Sequence, residues 1–92
     1  MVRFAWDERK ATANLAKHAV SFNEAGTVLA DTLSWTYPDP KHSRSEQRWI
    51  TIGVSETGRV LVVSHADEDE EATRIISVRP ATRKERRFYE EG

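Results

Sequence analysis

Two apolar runs on either side of one glycine turn set the frame for this chain. Ile50, Ile52 and Val54 repeat with period two, so they share one face of a strand. Ser55-Glu56-Thr57-Gly58 follows, with glycine where a turn needs positive φ. Residues 59–65 then return with Val60, Leu61, Val62 and Val63 almost all apolar, the pattern of a central strand covered on one side or both. Other elements must pack beside this pair, and 92 residues leave room for one core, so we expect a single domain over 1–92. Cysteine is absent, which removes disulfides, thiolate zinc sites and a cysteine nucleophile. No apolar run approaches the ~20 residues a membrane span needs, and no signal-peptide pattern opens the chain. The expected location is cytoplasmic, with no membrane partner.

The flanking elements follow from local signals. Residues 2–6 are short, bulky and β-prone, and Asp7 is placed to cap a helix over 8–18. Ala11, Leu15 and His18 share one face of that helix, while Lys10, Asn14 and Lys17 share another. Ser21-Phe22-Asn23-Glu24 has the capping-box form, in which Glu24 reaches back to the helix start. Val20 staples that start, and Phe22, Ala25, Val28 and Leu29 form the buried stripe. Residues 32–37 are β-rich until Pro38-Asp39-Pro40 stops them, and 39–45 form a polar loop with Lys41, His42 and Arg44. Strands are expected over 47–54, 59–65 and 73–79, and Thr82-Arg83-Lys84-Glu85 repeats the capping box before a last helix to Tyr89 or beyond. The order β-α-α-β-β-β-β-α implies an α+β fold, a small antiparallel sheet with helices packed on one face and the other facing solvent.

Fourteen basic against fifteen acidic residues give a net charge of -1, which excludes a protein that coats nucleic acid. The charges are segregated, however. Asp67, Glu68, Asp69, Glu70 and Glu71 form an acidic run, and Arg74, Arg79, Arg83, Lys84, Arg86 and Arg87 crowd the end. His18, His42 and His65 lie far apart, and the acidic run lacks the glycine and ligand spacing of a calcium loop. It reads as a solvated hairpin turn, and neither metal nor cofactor is expected. No serine sits in a Gly-x-Ser-x-Gly elbow, and the four glycines are scattered rather than gathered into a phosphate loop.

What remains is arginine beside titratable groups at strand ends. Arg48 enters the third strand two residues after Glu46. Arg74 and Arg79 stand at odd separation, so at most one faces the open side unless a bulge intervenes. Glu85 and Tyr89 share a helix face at i, i+4. This set suits RNA cleavage without a metal: arginines bind the phosphate, His, Glu or Tyr move protons, and an aromatic ring stacks a splayed base. The plainer reading makes the arginines surface cations and Tyr89 helix packing.

One pattern runs through Phe4-x-Trp6-Asp7-x-x-Lys10-x-x-x-Asn14-x-x-Lys17-His18-x-Val20-Ser21-Phe22-x-Glu24-Ala25, then Asp39-Pro40-x-His42-Ser43-x-x-Glu46-x-Arg48. It continues through Ile52-Gly53-x-Ser55-x-x-Gly58-Arg59-x-Leu61-x-Val63 and Arg74-Ile75-Ile76-Ser77-x-Arg79-x-Ala81-Thr82-x-x-Glu85-x-x-x-Tyr89. In these residues the chain resembles the BrnT family of bacterial toxins. The resemblance implies a RelE-like ribonuclease fold and the toxin half of a type II toxin–antitoxin pair. Such a toxin is a metal-independent endoribonuclease that arrests translation. Its implied partner is a BrnA-like ribbon-helix-helix antitoxin in a hetero-oligomer that reaches operator DNA only through the antitoxin.

The resemblance assigns Arg79 and Arg48 to the scissile phosphate, with Arg74 third because it can instead pair with a carboxylate. His18 is either a general acid or base or a core histidine. Glu85 orients an arginine, acts as base or caps its helix, and Tyr89 stacks a base or meets the antitoxin. Lys10, Lys17 and His42 are implied RNA contacts, with plain solvation as the alternative. One departure is the acidic segment, where family members often carry a basic or aromatic group: either the turn points away, or this copy cuts weakly. The alternative function is therefore a catalytically weak homologue serving as the protein-binding part of an autorepressing complex.

Overall fold

The computed structural model describes residues 3–92, and the expected first strand position, Val2, lies outside them. The elements are β1 (Arg3–Ala5), α1 (Glu8–His18), α2 (Phe22–Leu29), β2 (Trp35–Pro38), β3 (Arg48–Val54), β4 (Val60–Asp69), β5 (Ala72–Pro80) and α3 (Arg83–Glu91), with one 3-10 turn at Pro40–His42. Their order is the expected one. They form a mixed α+β fold around a five-stranded sheet ordered β1-β5-β4-β3-β2, with β4 central. β1 runs parallel to β5, and the remaining pairs are antiparallel.

Local chemistry explains the helix ends. The Asp7 carboxylate accepts from the Arg9 and Lys10 N–H groups, satisfying donors that a helix start leaves free. α1 stops at Ala19, whose φ of 57° is left-handed and strained for a residue with a Cβ. Ser21 accepts from the Glu24 N–H as expected, but the Glu24 carboxylate does not return to the cap. It turns outward to Arg59, Ser55 and Thr57, because a guanidinium offers it two charge-assisted bonds. At α3 the full capping box between Thr82 and Glu85 is present.

Val20, Phe22, Ala25 and Val28 pack on Leu61, Val63, Ile75 and Val78 to form the core, and Trp6 meets Phe22 edge-on at 6.0 Å. The inward face of α1 is Ala11, Asn14 and His18, with Asn14 in the place expected for Leu15, while Lys10 and Lys17 are exposed. Asn14 is buried and Leu15 half exposed, because Asn14 accepts from the Val78 N–H (3.0 Å) and donates to the Val78 and Val20 carbonyls (2.8 and 3.1 Å). Its amide thus replaces a missing strand along β5 beyond the end of β1, leaving none of those backbone groups orphaned.

Thr51 and Gly53 face α2; a Cβ on Gly53 would lie 3.0 Å from the Ser34 Cβ and 3.1 Å from the Val28 Cγ1, closer than side chains ordinarily pack. Ile50, Ile52 and Val54 therefore look away from α1 and α2. Two departures shape this second face. First, α3 crosses one end of it: Phe88 packs at a tilt against Trp35, which is paired with Ile52. The expectation that all helices lie on one face holds for α1 and α2 only, since Trp35 and Ile52 offer α3 an apolar seat. Second, pairing passes from Ser64↔Ser77 to His65↔Ile75, a bulge that inserts Ile76. The inserted residue reverses the parity of β5, so Arg74 and Arg79 share the open face rather than opposing ones.

Candidate functional site

β3, β4 and β5 carry Ile50, Val62, Ser64 and Ser77 on the open face, and these form the floor of a trough of about 330 Å³. Arg48 from the start of β3 and Arg79 from near the end of β5 stand in its walls, with Asp39 and His42 from the loop after β2. The 3-10 turn brings His42 back over Asp39, and the His42 Nδ1 lies 2.8 Å from the Asp39 Oδ2. Asp39 is buried beneath, whereas the imidazole is largely exposed. Asp39 thereby fixes the ring and leaves its Nε2 without a protein partner among the described residues.

Each arginine on this face already touches a carboxylate. The Arg48 Nε donates to the Glu46 Oε2 at 3.3 Å, and the same oxygen accepts from the Arg74 guanidinium. Arg74 also donates to Glu68 at 2.6 Å. Arg79 grips Glu85 through two parallel bonds, 2.7 and 2.9 Å. The Arg79 guanidinium, with the Thr82 N–H, holds the Glu85 carboxyl down to about 2 against the opposing effect of burial. Arg74 likewise holds Glu46 below the usual carboxylate range. The terminal nitrogens of Arg48 and the Nε of Arg79 make no protein bond among the described residues, so both retain donors for a ligand.

The remaining sequence candidates fall elsewhere. His18, Lys10 and Lys17 lie on α1, in the layer packed against β5 and the core, and none lines the trough. Tyr89 is engaged as a tether: its hydroxyl donates to Asp31 at 2.5 Å, and the Val54 N–H donates to the same carboxylate oxygen at 2.9 Å. The bond to Asp31, then burial, pushes the Tyr89 phenol pKa up and keeps the hydroxyl protonated. Arg74 lies next to the trough but is held by two carboxylates. The acidic run proves to be strand through Asp69, with Glu68 as the extra residue of a second bulge. None of its five carboxylates lines the trough, but Glu68 reaches the open face beside it to bind Arg74.

Sequence reasoning passed over Asp39 and a second cavity. Asp39 stood in the Asp39-Pro40-x-His42 pattern, and its spacing from His42 was the available signal. The second cavity, about 490 Å³, lies between β2 and α3 and is lined by Trp35, Thr36, Tyr37, Ile52, Lys84, Glu85 and Phe88. Burial first, then the charge of Glu85, pushes the Tyr37 phenol up, and Arg79 and Asp39 also act on it. Tyr37 thus stands at the seam between cleft and trough.

A family model described as "Ribonuclease toxin, BrnT, of type II toxin-antitoxin system" matches residues 6–85. Among solved structures, the crystal structure of the Brucella abortus ribonuclease toxin, BrnT, is similar at 25% identity and a TM-score of 0.70, covering 90% of this chain and 100% of that one. No curated protein matches the chain. No helix among the described residues is long and apolar enough to cross a membrane.

Proposed function

The chain belongs to the BrnT family, the ribonuclease toxins of type II toxin–antitoxin systems, and from that premise we propose that it is a metal-independent endoribonuclease working in the trough over β3, β4 and β5. One observation carries this reading: His42, oriented by buried Asp39, stands in the same open trough as Arg48 and Arg79. Arg48 and Arg79 bind the non-bridging oxygens of the scissile phosphate and stabilise the charge that grows on the phosphorane. The His42 Nε2 takes the proton of the 2′-hydroxyl, and Asp39 steadies the imidazolium that forms. The 2′-oxygen bonds to phosphorus, the bond to the 5′-oxygen breaks, and that oxygen takes a proton from solvent. The products are a 2′,3′-cyclic phosphate and a 5′-hydroxyl.

Glu85 is a positioning residue that sets the plane of Arg79. His18, Lys10, Lys17 and Tyr89 have no part in the chemistry, and Arg74 balances Glu46. RNA cleavage in the cytoplasm would arrest translation. As a type II toxin the chain has an antitoxin partner, which we take to be a BrnA-like ribbon-helix-helix protein that carries the complex to operator DNA.

Cleavage of RNA by the purified protein in EDTA tests the reading. Wild type should leave cyclic-phosphate ends, and Arg79→Ala and His42→Ala should each cut about 100-fold more slowly or worse, with unchanged circular dichroism. Full activity in His42→Ala with loss in His18→Ala would return proton transfer to α1. The pairing of all three arginines with glutamates favours a second reading, a weak enzyme that chiefly scaffolds the complex. Absence of cleavage and growth arrest, together with nanomolar antitoxin binding, would select it.

A further inference from the structure

The cleft between β2 and α3 is not used by the chemistry above, yet it shares the trough's face of the sheet. Ile52 lies in the cleft and Ile50 in the trough. They are successive same-face residues of β3, so the two sites lie about 7 Å apart along the strand. That is roughly the reach from a phosphate to the base of a neighbouring nucleotide in an extended single strand. Trp35, Tyr37 and Phe88 all remain substantially exposed, although residues this large and apolar are ordinarily covered. The Trp35 and Phe88 rings stand 5.6 Å apart and tilted by 54°, and both line the cleft. Lys84 supplies a cation at the rim, and Arg83, Arg86 and Arg87 extend basic charge along α3.

We propose that this cleft is a nucleobase subsite, holding the base next to the scissile phosphate of a single-stranded RNA by stacking on Trp35, Tyr37 and Phe88. The proposal rests on the ribonuclease reading of the trough and adds to it where the neighbouring nucleotide goes. Planar aromatic walls, a cationic rim and continuity with the phosphate-binding face favour RNA over a protein segment here. The lining is dominated by aromatic and apolar surface, with hydrogen-bonding groups only on Trp35, Thr36, Tyr37, Lys84 and Glu85, so the subsite discriminates chiefly by stacking area and prefers purines. Tyr37 joins the two sites: its ring walls the cleft, and its hydroxyl lies in the field of Arg79 and Glu85.

The test uses uncleavable 2′-O-methyl RNA hexanucleotides carrying 2-aminopurine, or an abasic unit, at each position in turn. With wild type, one position should show strong quenching of 2-aminopurine, and an abasic unit there should weaken binding about tenfold or more. In Trp35→Leu and Phe88→Leu, which keep apolar bulk but lose a π face, that abasic penalty should shrink to about twofold or less. RNA that binds and is cut, with no costly abasic position, overturns the subsite and leaves the ribonuclease reading standing. Variants that keep RNA affinity but lose antitoxin affinity assign the cleft to the protein partner and also overturn it. Conversely, an intact stacking position beside an Arg79→Ala variant that cuts like wild type sinks the trough and spares the subsite. Absence of RNA binding by wild type at every position overturns both.

Discussion

Two arginine–glutamate pairs bracket the sheet. Arg59 and Glu24 join the turn before β4 to α2 at 2.6 and 3.1 Å, while Arg79 and Glu85 join β5 to α3 at 2.7 and 2.9 Å. Both forks are bidentate, and in each the arginine holds the carboxyl down to about 2. Their surroundings differ. Glu24 is buried and also accepts from the Ser55 and Thr57 hydroxyls, and Arg59 reaches on to the Ala19 carbonyl. Every element meeting there is bound, so the pair is a clasp. Glu85 has a quarter of its side chain exposed, and Arg79 lines an open trough with its Nε–H unused. A short fork and a depressed carboxyl therefore do not mark a functional arginine. An unused donor facing a cavity does.

Exchanging each carboxylate for its amide should drive the two pairs apart. Glu24→Gln takes the charged acceptor, itself buried, from a partly exposed Arg59 and from two hydroxyls, and should destabilise the fold by about 2 kcal/mol, lowering Tm by roughly 10 °C. Cleavage per folded molecule should stay within twofold of wild type. Glu85→Gln should cost the fold about 1 kcal/mol, since solvent already screens that pair, yet slow cleavage roughly tenfold by freeing Arg79 to swing. Chemical denaturation read beside RNA cleavage checks both. Equal stability losses in the two variants would erase the distinction between clasp and site.

The acid limb of the stability curve tests what the two pairs share. Both glutamates are lowered from the ordinary 4.5 to about 2 in the folded chain. Their stabilisation is therefore complete above about pH 4.5 and drains away as pH falls toward 2, where the folded carboxyls take up protons. Urea denaturation at pH 7, 4 and 3 should show Glu24→Gln losing about 1–2 kcal/mol less than wild type on that descent. Glu85→Gln should differ from wild type by a similar amount, because its carboxyl is lowered as far. A wild-type curve flat from pH 5 to 2.5 would contradict the clasp.

What could be read in the sequence was whatever is decided within a few residues. Asp7, Ser21 and Thr82 are caps as their spacing says, because a cap is a contact at i+2 or i+3. The element order follows for the same reason. Long-range partners escaped. Asn14 looked like a surface residue between two lysines, and its amide completes a strand edge 64 positions away. Glu24 fits a capping box, but Arg59, 35 positions on, binds it more strongly than a neutral N–H can. The facing of Arg74 and Arg79 turned on one inserted residue, Ile76, which period-two counting cannot register. His42 looked like a loop histidine because nothing local says that Asp39 is buried beneath it.

The smallest effect concerns salt, and it discriminates the pairs without relying on catalysis. An arginine that binds an RNA phosphate releases a counterion, so log affinity falls with log salt by about 0.7 per contact on a single strand. Arg48 and Arg79 together should give wild type a slope near -1.4, with Lys84 at the cleft rim adding at most one further contact. Removing Arg79 as Arg79→Gln should flatten that slope by about 0.7. Arg59→Gln removes the same formal charge and should leave the slope alone, although it lowers stability. The two variants are isoelectric, so a general change in protein charge moves both slopes together, whereas direct phosphate contact moves only one. Fluorescence anisotropy with a labelled 2′-O-methyl hexanucleotide between 50 and 300 mM salt resolves the difference, and equal slopes in both variants would place Arg79 outside the RNA contact.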